Sequence, residues 1–176
     1  MEMFDLYDID RILTGETVPR GSVLPENRYR IVVHICIFSS DGRMLIQQRQ
    51  PFKHGWSGMW DLSVGGSVIS GENSVQGIIR EVREEIGLDL SDSENMRPAV
   101  TLNSDDVFDD IFLLSRDVDI NTLRLQPEEV KAVKWAGETE IYDMIDKGEF
   151  IPYNKCLIAL FFSQRNKGGR GFIEGK

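Results

Sequence analysis

The stretch from Asn73 to Ile86 fixes more about this chain than any other. Val75, Ile78, Ile79, Val82 and Ile86 recur there at spacings of three and four, the pattern of a helix with one buried face. Gly87 follows at once, and a residue tolerant of positive φ is what ends such a helix. Advancing about 100° per residue puts Glu81, Glu84 and Glu85 within roughly a 100° arc turned away from the apolar stripe, so three carboxylates share one face. Like charges so close repel. Water and neighbouring arginines relieve them, as in an Arg80 to Glu84 pair one turn apart, or a hard divalent cation fills the gap. Mg²⁺ suits oxygen ligands of this kind and brings phosphate oxygens into its remaining positions.

The residues before the helix favour the second possibility. Trp60 to Val64 reads as a short strand ending at Gly65 and Gly66, where bare backbone can approach an ion or phosphate that a side chain would block. Glu72 sits where it can accept from the helix N-terminal amides or meet Arg80 across two turns.

Around this centre, residues 3 to 28 read as a short strand and an extended lead-in, and 29 to 49 as a hairpin turning at SerSerAspGly. Residues 51 to 58 form a loop carrying Lys53, His54 and Trp56. Strands follow within 97 to 115 and from Glu129 to Trp135, then a helix after Gly137 and a last apolar helix over Tyr153 to Gln164. No repeat or linker divides the chain. It reads as an N-terminal extension (1–28) packed on one mixed α/β layered domain (29–166), with a flexible glycine-rich tail (167–176).

Composition narrows the partners. With 29 acidic and 20 basic residues the formal net charge is −9, which repels nucleic acid and anionic membranes, so neither is an expected partner. A small phosphorylated molecule is, provided metal ions or a few placed Arg and Lys offset the repulsion. No run approaches about 18 apolar residues and the N-terminus lacks a basic start, so the cytoplasm is the default compartment. Cys36 and Cys156 lie among apolar residues and read as small core hydrophobes.

Gly66, five residues, Glu72, seven residues, Arg80-Glu81-Val82, one residue, Glu84-Glu85, one residue, Gly87-Leu88: with every fixed position filled, this run resembles the Nudix box. The resemblance implies a Nudix-type α/β/α sandwich with a mixed β-sheet and a hydrolase cleaving a diphosphate linkage in a nucleotide-like or other small substrate. It implies Glu81, Glu84, Glu85 and the Gly66 carbonyl as Mg²⁺ ligands, with Mn²⁺ an alternative. Arg80 would orient the carboxylates, and Glu81 or Glu85 would be the first candidate for general base, with Glu128 or Glu129 on a later loop as the alternative. A homodimer is common in such families.

The run Leu45 to Gly66, together with His34, is also similar to type 1 isopentenyl diphosphate isomerases, which share the fold. That likeness implies Arg49 and Lys53 as diphosphate-binding groups and Trp60 at the pocket border. The isomerase cysteine, however, is replaced by Gly65, and a metal-binding histidine by Ser67. The chain therefore looks like a hydrolase of the isomerase-like branch. His34 reads as a satisfied core histidine. His54 is an exposed loop residue, and Trp56 either stacks on a base or closes the core. Asp105, Asp106, Asp109 and Asp110 form an acidic cluster, of which Asp110 is the candidate for a metal ligand or a ribose contact.

Overall fold

The β-branched run Arg30–Phe38 (β3) is the strand on which the rest assembles. In the computed structural model, which describes residues 1–166, it is the central strand of a seven-stranded mixed sheet. It pairs in parallel with Val107–Ser115 (β8) along its whole length and antiparallel with Val64–Ser67 (β6). Val100–Asn103 (β7) flanks β8, while Met44–Arg49 (β4) carries Trp60–Asp61 (β5) and Val130–Ala136 (β9). The expected hairpin over 29–49 forms only at its turn. β3 and β4 pair at Phe38 and Met44, and from there β4 runs with β9 instead.

Alternation along β3 sorts the core into two layers. Ile31, Val33, Ile35 and Ile37 pack with Ile78, Val82 and Ile86 of the helix Ser74–Ile86 (α1). Cys36 and Phe38 point the other way, toward Glu138–Asp146 (α2) and Lys155–Gln164 (α3), where Ile141, Met144, Ile158, Phe161 and Phe162 close the second layer. The result is the α/β/α sandwich. α1 stops at Gly87 as expected, with φ 69° and its N–H donating to the Arg83 carbonyl, while its N-terminus is held by a capping box of Asn73 and Gln76 and not by Glu72.

The N-terminal lead-in is more ordered than its sequence suggested. Met3–Tyr7 (β1) and Leu13–Pro19 (β2) make a separate two-stranded sheet, with Phe4 and Leu6 buried and Ser70 N donating to the Met3 carbonyl. Cys36 is buried, but Cys156 is exposed, because it falls on the side of α3 opposite Ile158 and Phe162. Gly65 and Gly66 lie within β6 instead of beyond a strand end. The tail expected to be flexible, 167–176, lies outside the described residues. Among the described residues no helix is long and apolar enough to cross a membrane.

Candidate active site

Because β3 and β4 separate after their single pairing, a wedge opens between the two halves of the sheet, and a cavity of about 550 Å³ occupies it. One wall comes from β3 and β6, with Val32, His34, Gly65, Gly66 and Ser67. The other comes from β4, β5 and the loop after β4, with Arg49, Asp61, Lys53, His54 and Trp56. The glutamate side of α1 lies below, with Glu81, Glu84 and Glu85.

Consecutive glycines on β6 let side chains approach from both faces of the strand. A Cβ on Gly66 would fall 2.7 Å from Glu81 Cγ, and one on Gly65 would fall 2.6 Å from His34 Nε2. Both lie well inside an ordinary contact of about 3.5–4.0 Å. Gly66 thus cradles Glu81. Gly65 leaves its space to the His34 ring, whose Nδ1 is 2.7 Å from Asp109. Burial pulls the His34 pKa down, but the hydrogen bond and charge of Asp109 outweigh it, helped by Asp61 and Glu85, and the net direction is up. The imidazole is therefore satisfied, as expected, and it also forms part of the cavity wall.

The three box carboxylates differ in exposure. Glu84 is the exposed one, Glu81 is mostly covered, and Glu85 is only 6% exposed, so Glu85 does not turn away from the apolar stripe. Seven residues after Ile78 bring it back to within about 20° of that core residue, which the broader arc count overlooked. Its one side-chain partner is Gln47 Nε2 at 3.0 Å, and Gln47 Oε1 is itself buried without a partner. Desolvation therefore dominates and pushes the Glu85 pKa up to about 8. Glu81 is raised for the same reason, with Arg80 opposing the shift.

Arg80 gathers the acids. Its Nε and Nη2 bond Glu72 at 2.9 and 3.1 Å, and Nη2 also donates to the Ser67 carbonyl at 2.9 Å. Nη1 reaches Glu81 at 3.0 Å and Glu84 at 3.1 Å. Glu72 thus meets Arg80 across two turns, and Arg80 contacts two of the three box carboxylates but not Glu85. As placed, Glu81 and Glu84 turn to this guanidinium, and among the described residues no three His, Cys, Asp or Glu side chains converge as a ligand set. The donors nonetheless fit a hard cation in kind. They are carboxylate oxygens around a backbone that only glycine leaves open, with Glu85 lacking any cationic partner.

Arg49 and Lys53 stand where expected. Lys53 pairs with Glu129, which also lines the cavity, whereas Glu128 does not. Arg49 Nη1 is a loose 3.9 Å from Asp61, and its buried Nε has no partner. Trp60 and Asp110, by contrast, are elsewhere. Trp60 alternates with Asp61 across β5, so it faces a separate surface depression, with Lys134 Nζ 4.9 Å from its ring centre. Asp110 sits on the α1 face of β8, one step away from Asp109. It is fully buried among Arg11, Ser74 and Thr101, against a different cavity of about 1020 Å³.

Asp61, Tyr153, Arg20, Arg30 and Gln126 also line the candidate site, and no motif or periodicity in the sequence points to them. Gln47 left a signal in hindsight, being a glutamine at an inward position of an apolar strand and only 3% exposed. Tyr153, expected as the first residue of the last helix, instead precedes α3 and donates to Asp61 at 2.9 Å, a pairing that neither spacing nor periodicity connects.

Residues 28–156 match the NUDIX domain model. An uncharacterized Nudix hydrolase of Listeria monocytogenes is 40% identical over 87% of this chain and 90% of its own length. More distantly, the isopentenyl-diphosphate Delta-isomerase of Cutibacterium acnes is 28% identical over 73% of this chain and 70% of its own. Among solved structures, a Deinococcus radiodurans protein superposes with a TM-score of 0.73 at 24% identity, over 90% of this chain and 98% of that one. The MutT protein from Methanosarcina mazei gives 0.62 at 25% identity, over 79% and 96%.

Proposed function

The chain belongs to the Nudix hydrolase family, and on that premise we propose that it hydrolyses a diphosphate linkage in a nucleotide-like or other small substrate, with Mg²⁺ or Mn²⁺ held by Glu81, Glu84, Glu85 and the Gly66 carbonyl. The observation that carries the proposal is Glu85: a nearly buried carboxylate without a cation, beside a glycine-cradled Glu81, facing a cavity that also holds Arg49 and Lys53. A divalent cation there supplies charge neutralisation for the diphosphate and acidifies a water.

The remaining roles belong to the chain's own groups. Arg80 is anchored on Glu72 and the Ser67 carbonyl and would keep those bonds if Glu81 and Glu84 exchanged its Nη1 for a cation, so it would hold the acids in reach without competing for all of them. Arg49, with its free Nε, and Lys53 bind diphosphate oxygens and align the linkage. Glu81 or Glu85 takes the proton of the attacking water. Glu129 is the weaker candidate because Lys53 already engages it.

Isomerisation of isopentenyl diphosphate is the alternative, and Gly65 weighs against it. The isomerase cysteine would have to occupy that position, where a Cβ already collides with the His34 ring. The test is a screen over nucleoside diphosphates, nucleotide sugars, dinucleotides and isoprenoid diphosphates with Mg²⁺ or Mn²⁺, the products resolved by ion-exchange chromatography so that phosphomonoesters are read as well as phosphate. Cleavage that EDTA abolishes is expected. Conversion of isopentenyl to dimethylallyl diphosphate with no linkage cleaved in any compound would overturn the hydrolase proposal.

A further inference from the structure

Two cations on the β3–β6 wall of the same cavity have no part in the chemistry above. Arg30 is the first residue of β3, and Arg20 directly follows β2. Arg30 Nη1 donates to Ser67 Oγ at 2.8 Å and its guanidinium lies 5.4 Å from the Phe4 ring centre, yet among the described residues no carboxylate is within ion-pair distance of it. Burial works against its charge, the charge of Asp106 offsets part of that, and the charge of Arg20 works against it further. Arg20 is 57% exposed, and its Nη1 meets Glu2 at 2.6 Å. Two guanidiniums thus line one cavity, one half-buried and only partly offset by Asp106 and the other held by an exchangeable surface acid, in a chain whose net charge is −9.

We propose that Arg20 and Arg30 form a second anion subsite, across the wedge from Arg49 and Lys53, which takes an anionic group of the substrate lying beyond the diphosphate linkage that is cut. It rests on the hydrolase function proposed above and narrows its substrate class. The fitting compounds carry a third phosphate or another phosphate on the leaving portion, and a diphosphate of a neutral sugar or hydrocarbon would leave the subsite idle. Arg20 comes from the β1–β2 sheet, before the span 28–156 that matches the family model, so this part of the specificity belongs to the N-terminal segment. Glu2 holds Arg20 until a phosphate oxygen displaces it. A phosphate engages the planar guanidinium through two parallel hydrogen bonds, which one exposed carboxylate oxygen at 2.6 Å does not.

The probes are the methylene-bridged, non-hydrolysable analogues of pyrophosphate and tripolyphosphate, titrated by calorimetry into the full chain with Mg²⁺. The triphosphate analogue is expected to bind about tenfold more tightly than the diphosphate analogue. Arg20→Gln and Arg30→Gln should each erase most of that advantage while changing diphosphate binding less than about twofold, and Arg30→Lys should restore part of it. Arg49→Gln should weaken both probes together. Equal affinity for the two probes, or equal losses in the Arg20 and Arg30 variants, removes the subsite and leaves the hydrolase proposal standing. Failure to bind either probe overturns both.

Discussion

Glu81 occupies the space that a side chain on Gly66 would need. A Cβ there would fall 2.7 Å from Glu81 Cγ, so the glycine does more than bend the chain: it sets where the carboxylate can lie. Gly66→Ala should therefore displace Glu81 while keeping β6 paired with β3. A shift of about 1 Å at a reacting centre costs on the order of 10²-fold in rate. A loss of that size in kcat, with an unchanged circular dichroism spectrum, is the expected result. Full activity in the variant would show that Glu81 has no positional role.

Glu85 should trade stability for turnover. Its folded pKa, about 8, lies above the ordinary 4.5, so between those values the folded chain holds a proton that the unfolded chain has lost. Metal-free stability must then fall as pH rises across that window. Glu85→Gln removes the ionisation and keeps an acceptor for Gln47. The metal-free variant should melt higher than the parent at pH 9, by about 2–4 °C for each kcal/mol recovered, and its melting temperature should depend less on pH. Turnover should drop by about 10²–10⁴-fold. A variant that melts lower than the parent at pH 9 would mean the carboxylate is not desolvated.

How much of this could be read beforehand follows from the range of the interactions. α1, its glycine stop and the Glu72–Arg80–Glu84 contacts are local, so spacing alone is enough to locate them. The parting of β3 from β4 was not legible. A turn signal at SerSerAspGly says where two strands meet, whereas what separates them is the distant claim of β9 on β4. The same limit applies to faces. Trp60 and Asp110 were each placed near the right element and on the wrong side of it, because a one-residue step reverses a strand's side chains and only the assembled sheet sets which side is which.

Trp60 gives a sharp check on that correction. It faces away from the wedge, beneath Lys134, so Trp60→Phe should leave kcat and KM within about twofold and cost at most about 1 kcal/mol in stability from the lost cation–π contact. Trp56, by contrast, is 52% exposed at the cavity with φ 49°, and Trp56→Ala should raise KM if an aromatic ring of the substrate stacks there. A rise in KM for Trp60→Phe alone would return Trp60 to the site.

Asp110, displaced from the site, is expected to matter for folding in acid. Burial alone would raise its pKa, but the hydrogen bonds from Arg11, Ser74 and Thr101 and the charge of Arg11 overcome that and hold it below the ordinary 3.8. A depressed carboxylate stabilises the fold above its unfolded pKa, and that contribution drains away as pH falls through the folded value. Asp110→Asn keeps the shape but turns an amide N–H toward donors and leaves Arg11 unneutralised. Because Asp110 is fully buried and Arg11 partly solvated, the cost should sit near about 3 kcal/mol at neutral pH. The gap between parent and variant should narrow as pH falls below the ordinary 3.8, where the unfolded parent takes up the proton before the folded one does. Urea unfolding at pH 7 and pH 3 measures both quantities. Asp110 does not line the wedge, although Arg80 and Glu84 border both cavities, so kcat at low temperature should survive the substitution. A variant that unfolds like the parent at pH 7 would show that Arg11 does not hold this carboxylate in its charged form, and the N-terminal segment would then be anchored by the burial of Phe4 and Leu6 and by its hydrogen bonds to Tyr29, Ser70 and Gly71.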